Sequence, residues 1–355
     1  MYIILAIIAF GILIAVHEGG HFFAAKAFGV RVNEFALGMG PTLLKKQGKE
    51  TLYSLRLLPL GGFCAMEGED EASGDPRAFT AKPGWQRAII LCSGALMNFI
   101  AGLLLLLCIV PYADLAEPII HDFMDGCPYQ GESALQVGDR IQRIDGHRIY
   151  FTEDVSYYLD RESSNSDSHR IVLRRDGRRV VLDDFHIRRQ EYTMEDGSTQ
   201  LKYGFYFEPR QFGFAATLRY TWMEAMNFTR LVWRSLGDLV SGAVGINALS
   251  GPVGIVDYVN DVGTAAASPL AAWFSLFYIF ALIAINLAVM NLLPIPALDG
   301  GRVFFLLIAW IYELIFRRKI NPKYEGYIHT AGFILLLGLM VFVMFNDVIK
   351  IIMNR

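Results

Sequence analysis

Apolar residues are concentrated in long segments of the chain. A helix needs roughly 20 mostly apolar residues to cross a bilayer core about 30 Å thick. Four segments meet this requirement, and the second, third and fourth carry no Asp, Glu, Lys or Arg. The pattern therefore predicts four transmembrane helices, within residues 1–30, 88–113, 264–298 and 326–345.

The intervals between these segments have other patterns. Apolar and polar residues alternate along residues 30–66, with glycine-containing turns, which predicts a β-meander. Residues 115–208, roughly 90 in number, are enough for one soluble domain. Residues 217–239 have apolar positions near helical spacing, typical of an amphipathic helix that lies on the membrane surface or packs on the soluble domain. The predicted strands of the soluble domain are 140–144, 170–174 and 180–186.

The composition agrees with a membrane protein that has a sizeable water-facing part. Hydrophobic residues make up 54% of the chain and charged residues 19%, against averages of roughly 45–50% and 25%. The 32 Lys and Arg nearly balance the 35 Asp and Glu, so the charge does not indicate a nucleic-acid partner. The four cysteines are scattered, which excludes a disulfide scaffold.

Basic residues predict the orientation in the membrane. Lys and Arg follow the first segment closely and fill the connection between the third and fourth, and short basic loops face the cytoplasm. The N-terminus and the soluble interval are therefore predicted to lie outside. The first segment has no basic start and no small-residue cleavage site, so we expect a retained span and not a signal peptide.

The motif that carries chemistry lies inside the first segment. His17 and His21 are four residues apart, share one face of a helix, and can bind one metal ion. Glu18 projects about 100° away from His17, where it can act as a general base on water at the metal. Ionisable groups inside a membrane cost about 2.5–3.5 kcal/mol each, so three in five residues indicate a shared purpose. The alternative is a hydrogen-bonded polar patch between helices.

A hydrolytic zinc site usually has three protein ligands, so a third residue is needed. The second and fourth segments contain no carboxylate, and the third leads to one only at its end, Asp299. Pro294 and Pro296 cannot continue a helix, and irregular backbone at membrane depth is tolerated where it is buried or lines a cavity. Asp299 is the predicted third ligand. Alternatively, it caps a helix that starts at Arg302.

Four motifs span most of the chain. They are His17-Glu18-Gly19-Gly20-His21, Pro59-Leu60-Gly61-Gly62-Phe63, Ser250-Gly251-Pro252-Val253-Gly254-Ile255 and the Asn-x-x-Pro-x-Pro-x-Leu-Asp-Gly-Gly run that ends at Gly301. Together, and in this order, they resemble the site-2 protease family of intramembrane zinc metalloproteases, peptidase family M50. Within that family the chain is most similar to the bacterial regulator of sigma-E protease group.

The soluble interval resembles a circularly permuted PDZ domain of the bacterial kind. The resemblance rests on Val137-Gly138-Asp139-Arg140-Ile141 and on Ile144-Asp145-Gly146. In the family, such a domain restricts the access of intact substrates; peptide binding is the alternative.

The family resemblance implies one Zn²⁺ per chain, bound by His17, His21 and Asp299, with Glu18 as the catalytic base. It implies cleavage of single-span membrane proteins, such as anti-sigma factors and remnant signal peptides, within or near their transmembrane segment. The implied partners are these substrates and membrane lipids. The implied location is the bacterial cytoplasmic (inner) membrane, with several spans and an external N-terminus.

The resemblance also implies substrate-binding residues. Asn286 and Asn291 match asparagines near the family's active site, and Asn98 matches a motif of its second span. Gly61 and Gly62 lie in a strand whose edge could hold an unwound peptide by β-augmentation. We assign substrate binding to all five residues; for Asn98 the alternative is a hydrogen bond between helices within the membrane.

The predicted fold class is a polytopic α-helical membrane protein with four transmembrane helices, a membrane-associated β-meander and one extracytoplasmic PDZ-like α+β domain.

The rival function is a non-catalytic PDZ membrane scaffold with a structural metal site, which would have no use for Glu18. A metal-ion transporter would need ligands along the spans that the second and third spans lack. The predicted divisions are a first span with the HExxH motif (1–30), the β-meander and loop (31–87), a second span (88–113), the PDZ-like domain (114–210), an amphipathic helix and connecting region (211–263), a third span (264–301), a cytoplasmic connection (302–325) and a fourth span (326–351).

Overall fold

A computed structural model describes most of the chain, which forms two compact units. One unit comprises residues 1–111 and 218–355, and the other residues 112–217. The described residues are 1–69, 73–112, 116–162, 167–194, 197–209, 213–245, 249–318 and 322–353. Short parts of the predicted acidic loop (70–72), soluble domain (114–115, 163–166, 195–196 and 210), connecting region (211–212 and 246–248) and basic connection (319–321) lie outside them, as does residue 113 of the second span.

Helices dominate the first unit. The helices of the chain are α1 (Tyr2–Ala27), α2 (Gly84–Ile109), α3 (Thr152–Glu162), α4 (Phe214–Val240), α5 (Pro252–Ala265), α6 (Pro269–Asn291), α7 (Asp299–Phe316) and α8 (Pro322–Met353). Among the described residues, four helices are long and apolar enough to cross a membrane: α1, α2, α6 and α8. They overlap the four predicted spans.

The third predicted segment contains a shorter helix than its apolar length suggests. α6 begins at Pro269, after Ser268 accepts a hydrogen bond from the backbone N–H of Ala271 (3.1 Å). It ends at Asn291, because Pro294 follows within one turn. The first residues of the segment, 264 and 265, belong to α5.

The region after the third span was predicted to be a connection, and this was incomplete. α7 occupies its first part, and it begins at Asp299 itself. Residues 303–312 contain no charge and are apolar. Because Arg302 precedes this stretch and Glu313 follows it, it is too short for the pattern of a span.

The core of the first unit lies between α1, α5 and α6. Its fully buried side chains include Ala6, Leu13, Val259, Leu276 and Ala284. α5 falls in the region predicted only as connecting sequence. It packs closely on α1, where a Cβ on Gly263 would lie 2.6 Å from the ring of Tyr2.

The predicted amphipathic helix corresponds to α4. Its buried side packs against α6, where the hydroxyl of Tyr278 donates to Glu224 (2.6 Å) and the ring of Tyr278 meets Phe228 edge-to-face. Trp222 contacts Phe99 of α2 in the same way. The structure therefore shows α4 packed on helices of the first unit.

The predicted β-meander consists of two long, bent strands, β1 (Val32–Gln47) and β2 (Leu52–Met66). Residues 32–37 of β1 pair with residues 62–66 of β2, and residues 42–47 pair with residues 52–56. Phe35 pairs with both Cys64 and Tyr53, so β1 runs between the two ends of β2. Among the described strands, none pairs with the outer side of residues 62–66. This end of β2 is thus an edge.

The second unit is an α+β domain. Its main sheet has the order β10-β3-β4-β6-β7, with β5 paired to β4, and β8 and β9 form a separate pair. Its core consists of apolar side chains such as Ile120, Leu135 and Ile141, with α3 against the sheet. The strands are β3 (Ala116–Phe123), β4 (Arg140–Ile144), β5 (His147–Arg148), β6 (Ser168–Arg175), β7 (Arg178–His186), β8 (Gln190–Thr193), β9 (Thr199–Lys202) and β10 (Phe205–Pro209).

The three strands predicted in this unit are confirmed by β4, β6 and β7. The predicted turns are confirmed as well. Asp145 and Gly146 have φ of 48° and 81°, and Asp176 and Gly177 have φ of 49° and 81°. Two successive positive φ angles are typical of the hairpin turn that Asp-Gly favours.

Candidate metal centre

α1 carries both histidines on one face. His17 Nε2 and His21 Nε2 lie 3.3 Å apart, as expected for residues one helical turn apart. His21 is buried, with 6% of its surface exposed. α1 approaches α2 closely at this level because Gly20 has no side chain: a Cβ there would lie 2.7 Å from the carbonyl carbon of Ser93.

A break between two helices brings the third predicted ligand to the histidines. The backbone is not helical between the end of α6 at Asn291 and the start of α7 at Asp299. Two glycines let this segment fold back on α7. A Cβ on Gly300 would collide with the backbone of Leu292 and Leu293, and one on Gly301 with the carbonyl of Ile295.

The Asp299 carboxylate points at both histidines. Its Oδ2 lies 3.1 Å from His17 Nε2 and 3.2 Å from His21 Nε2. The residue that caps α7 is Leu298, with no side-chain cap hydrogen bond. The alternative role of Asp299, capping a helix that starts at Arg302, is therefore wrong.

The donor atoms of these three residues fit a metal ion. His21 Nδ1 lies 2.8 Å from the carbonyl oxygen of Ile90; a neutral ring that donates there has a bare Nε2 lone pair. Asp299 Oδ2 is buried and makes no hydrogen bond to the described residues. Lone pairs that face one another repel unless a cation lies among them. Two imidazole nitrogens and one carboxylate oxygen, His17, His21 and Asp299, are a ligand set typical of zinc.

One face of α2 holds both histidines. Ile90, Gly94 and Asn98 follow one another at intervals of four, so they line one side of the helix. Ile90 accepts from His21. Gly94 leaves room for the imidazoles, since a Cβ there would collide with His21 Nε2 and lie 2.7 Å from His17 Cε1.

Asn98 reaches the other histidine. Its side chain is buried, with 1% exposed, and its amide nitrogen lies 3.4 Å from His17 Nδ1. An amide can present either its nitrogen or its oxygen. The oxygen of Asn98 has no hydrogen-bond partner among the described residues. With the amide turned, Oδ1 accepts the Nδ1 proton of His17, which leaves Nε2 of His17 without a proton.

The two predicted asparagines of α6 have different surroundings. Asn291, at the end of the helix, has its amide nitrogen 3.5 Å from both ring nitrogens of His17. Asn286, five residues earlier, is exposed. The structure thus brings Asn291 to the metal ligands and leaves Asn286 on the surface of α6.

The edge of β2 lies beside Glu18. A Cβ on Gly62 would be 3.1 Å from Glu18 Cγ and 3.0 Å from Ile14 Cγ2, so the absence of a side chain allows the strand to touch α1. Gly61 has φ of 83°, in the left-handed region that favours glycine. Both predicted glycines therefore have backbone reasons to be glycine.

Charged and thiol groups surround the site on the β2 side. Arg302, at the start of α7, forms an ion pair with Glu69, which follows β2. Burial, together with the carboxylates of Glu18 and Glu69, raises the pKa of Cys64 to about 12. Cys64 packs among buried apolar side chains such as Val32 and Met66, and it does not belong to the group of ligand atoms formed by His17, His21 and Asp299.

Comparison with known proteins identifies the family. A profile described as peptidase family M50 matches residues 5–339. The chain belongs to peptidase family M50. A protein of Clostridium perfringens is 37% identical over 98% of this chain and 99% of its own length. Proteins of Clostridium acetobutylicum and Fusobacterium nucleatum are 36% and 31% identical, again over at least 97% of each chain.

All three relatives are named as candidate zinc metalloproteases. The family and these relatives show that this chain is a zinc metalloprotease, which confirms the enzyme class predicted from the motifs. Its four apolar helices agree with a membrane protein of several spans.

The motifs did not reveal every residue that shapes the site. Ile90 acts through a backbone carbonyl, for which no sequence signal exists. Gly94 contributes by having no side chain. In the sequence, only its spacing of four residues from Asn98 indicates that it lies on the same face of the helix. His329, in the fourth span, belongs to none of the four motifs.

Proposed function

We propose that this M50 protein is an intramembrane endopeptidase, which hydrolyses a peptide bond within or near the transmembrane segment of single-span membrane proteins. The observation that carries the proposal is the convergence of Asp299 on His17 and His21, which belong to a helix that is long and apolar enough to cross a membrane. Anti-sigma factors and remnant signal peptides are the substrate classes we propose.

In this proposal one zinc ion per chain is bound by His17, His21 and Asp299. When bound, zinc supplies Lewis-acid chemistry: it lowers the pKa of a water molecule and polarises the peptide carbonyl. Ile90 and Asn98 orient the two imidazoles through their Nδ1 atoms, so that each Nε2 faces Asp299. Such outer partners fix the tautomer and the ring orientation of ligating histidines.

Glu18 is the proposed general base. It is on the same helix as the histidines, one residue after His17, and it contacts the strand edge at Gly62. A carboxylate there can take the proton of the attacking water and pass it to the leaving amine. A purely structural metal site would have no use for this carboxylate, which favours the enzyme over the scaffold.

The edge of β2 is the proposed substrate handle. A transmembrane helix hides its peptide bonds in hydrogen bonds, so a protease must first hold it unwound. A strand added to the outer side of residues 62–66 would lie about 5 Å from Gly62, beside Glu18. Asn291, next to His17, and the exposed Asn286 are proposed to align the same peptide.

The second unit is proposed to be the PDZ-like domain, located outside the cytoplasm with the N-terminus. Its edge strand β10 borders a cavity of about 180 Å³ that is also lined by Val155 and Ser156 of α3. An edge strand beside a helix suits the addition of an extended peptide. The proposed location is the bacterial inner membrane, with lipids around the spans.

The proposal can be tested with four purified forms of the full chain in detergent: wild type, Glu18→Gln, Asp299→Asn and, as a matched control at an exposed site, Glu132→Gln. Bound zinc is counted, and cleavage of single-span test substrates is mapped by mass spectrometry. We expect about one zinc per chain in wild type, Glu18→Gln and Glu132→Gln, and less in Asp299→Asn. Cleavage should fall about 10²–10⁴-fold in Glu18→Gln.

Two outcomes would contradict the proposal. Zinc-loaded wild type that cuts none of several single-span substrates would favour the scaffold. Cuts confined to water-exposed loops, far from the transmembrane segment, would show a protease that does not act in the membrane.

A further inference from the structure

A histidine of α8 contacts the segment that delivers Asp299. His329 Nδ1 lies 3.0 Å from the backbone nitrogen of Ala297, and it accepts the hydrogen bond of that N–H. An imidazole nitrogen that accepts carries no proton, so His329 has its proton on Nε2. Ala297 lies two residues before Asp299.

Ala297 needs such a contact. Its φ is 77°, in the left-handed region that residues with a Cβ adopt rarely. Conformations of this kind persist where the surroundings fix them. A hydrogen bond to the N–H of Ala297 fixes the plane of its peptide group, and with it the direction in which the chain enters α7.

The same face of α8 packs against the preceding residue of the segment. Gly332 lies one turn after His329, and a Cβ on it would be 2.9 Å from the carbonyl oxygen of Pro296. The His329 ring also meets Phe305 of α7 edge-to-face, with centroids 5.3 Å apart. His329 thus contacts both the segment and the helix that follows it.

The contact matters because the apolar part of α8 is otherwise little packed. Only 6% of the residues in its most apolar stretch are buried. From the other side, the segment is fixed by Gly300 and Gly301, which lie directly against its backbone. The irregular residues before Asp299 therefore lie between the glycines of α7 on one side and His329 and Gly332 of α8 on the other.

We propose that His329 is a positioning residue for the reaction. By accepting the N–H of Ala297 and packing on Phe305, it holds the segment in the conformation that directs the Asp299 carboxylate at His17 and His21. This inference rests on the proposed zinc site. It assigns His329 no contact with metal or substrate.

The acceptor role can be separated from simple space filling by two substitutions. His329→Leu fills similar space without an acceptor. His329→Asn keeps an acceptor, because the amide oxygen of Asn stands near the position of Nδ1. Thr330→Val is the matched control: Thr330 is exposed and bonds only its own helix at Gly326 among the contacts observed.

The test measures zinc affinity by chelator competition, and the visible absorption of the Co²⁺-substituted full chain, which reports the ligand geometry. We expect His329→Leu to weaken zinc binding at least about tenfold, the effect typical of losing an outer partner, and to change the Co²⁺ spectrum. His329→Asn should stay within about threefold of wild type, and Thr330→Val should equal wild type. Gly332→Ala, which pushes on Pro296, should act like His329→Leu.

Asp299→Asn separates the two hypotheses. If it leaves zinc affinity and the Co²⁺ spectrum unchanged, the proposed zinc site itself is wrong. If Asp299→Asn weakens binding while a folded His329→Leu matches wild type, only the positioning role is overturned. Equal losses in His329→Asn and His329→Leu would also overturn it, because the acceptor would then not matter. Should His329→Leu fail to fold, His329→Ala, which also removes the acceptor, is judged by the same criteria.

Discussion

His21 Nδ1 lies 2.8 Å from the carbonyl oxygen of Ile90, on the neighbouring helix. The contact determines which nitrogen of His21 is free for a metal, because the other one holds the proton. Asn98, two turns further along α2, stands in the same relation to His17. A single helix face therefore orients both histidines, although it contributes no ligand of its own.

Asn98→Leu should weaken zinc binding about 10–100-fold, the usual cost of losing a partner of a ligating histidine. The buried leucine fills the space but leaves Nδ1 of His17 without an acceptor. Zinc affinity measured by chelator competition checks this. The control is Leu96→Ala on the exposed side of α2, where 56% of the leucine surface is accessible. Unchanged affinity in Asn98→Leu would show that His17 needs no such partner.

Gly94→Ala should abolish zinc binding and cleavage together. The new methyl group would collide with His21 Nε2 and approach His17 Cε1, so α2 must move away or the imidazoles must turn. Gly102→Ala on the same helix is the matched comparison, since its Cβ would meet Ile285 on α6 instead. We expect Gly102→Ala to lose stability but to keep zinc. Normal zinc content in Gly94→Ala would contradict the close approach of α2 to the histidines.

These residues explain how far the sequence could predict the site. The spacing of His17 and His21, and the prolines that break the chain before Asp299, depend on side-chain chemistry and local backbone rules, which are visible in one sequence. The carbonyl of Ile90 and the space at Gly94 depend on how two helices cross, which no local pattern encodes. α7 was missed for a different reason. Its uncharged stretch, residues 303–312, lies between Arg302 and Glu313 and is too short for a span, so the pattern of long apolar segments did not include it.

Gly62→Ala should reduce kcat/KM for single-span substrates with little effect on zinc. Its methyl group would lie 2.9 Å from the carbonyl oxygen of Ala36 and 3.1 Å from Glu18 Cγ, which displaces the strand edge from the catalytic base. Cleavage rates at several substrate concentrations, with zinc counted in parallel, measure the effect. Gly74→Ala serves as the control, because its Cβ meets nothing within 4 Å. A loss of zinc equal to the loss of rate would assign Gly62 to the metal site and not to the substrate edge.

Asp347→Ala should separate α8 from α5 without disturbing the metal. Asp347 is buried, with 2% exposed, and it accepts the backbone N–H groups of Gly251 and Gly254, each at 2.9 Å. A buried donor left without a partner costs about 1–3 kcal/mol, so the free energy of unfolding in detergent should fall by at least that amount. Asp347→Asn keeps an acceptor oxygen and should lose less.

The second contact of α8, at His329, lies 18 residues away, about 27 Å along a helix. Zinc affinity in Asp347→Ala should therefore stay within about twofold of wild type. If it falls as far as in His329→Leu, α8 transmits the loss of one contact to the other, and the two ends of the helix act as a single support for Asp299. If only stability falls, the end of α8 at Asp347 holds α5, and the end at His329 alone serves the metal centre.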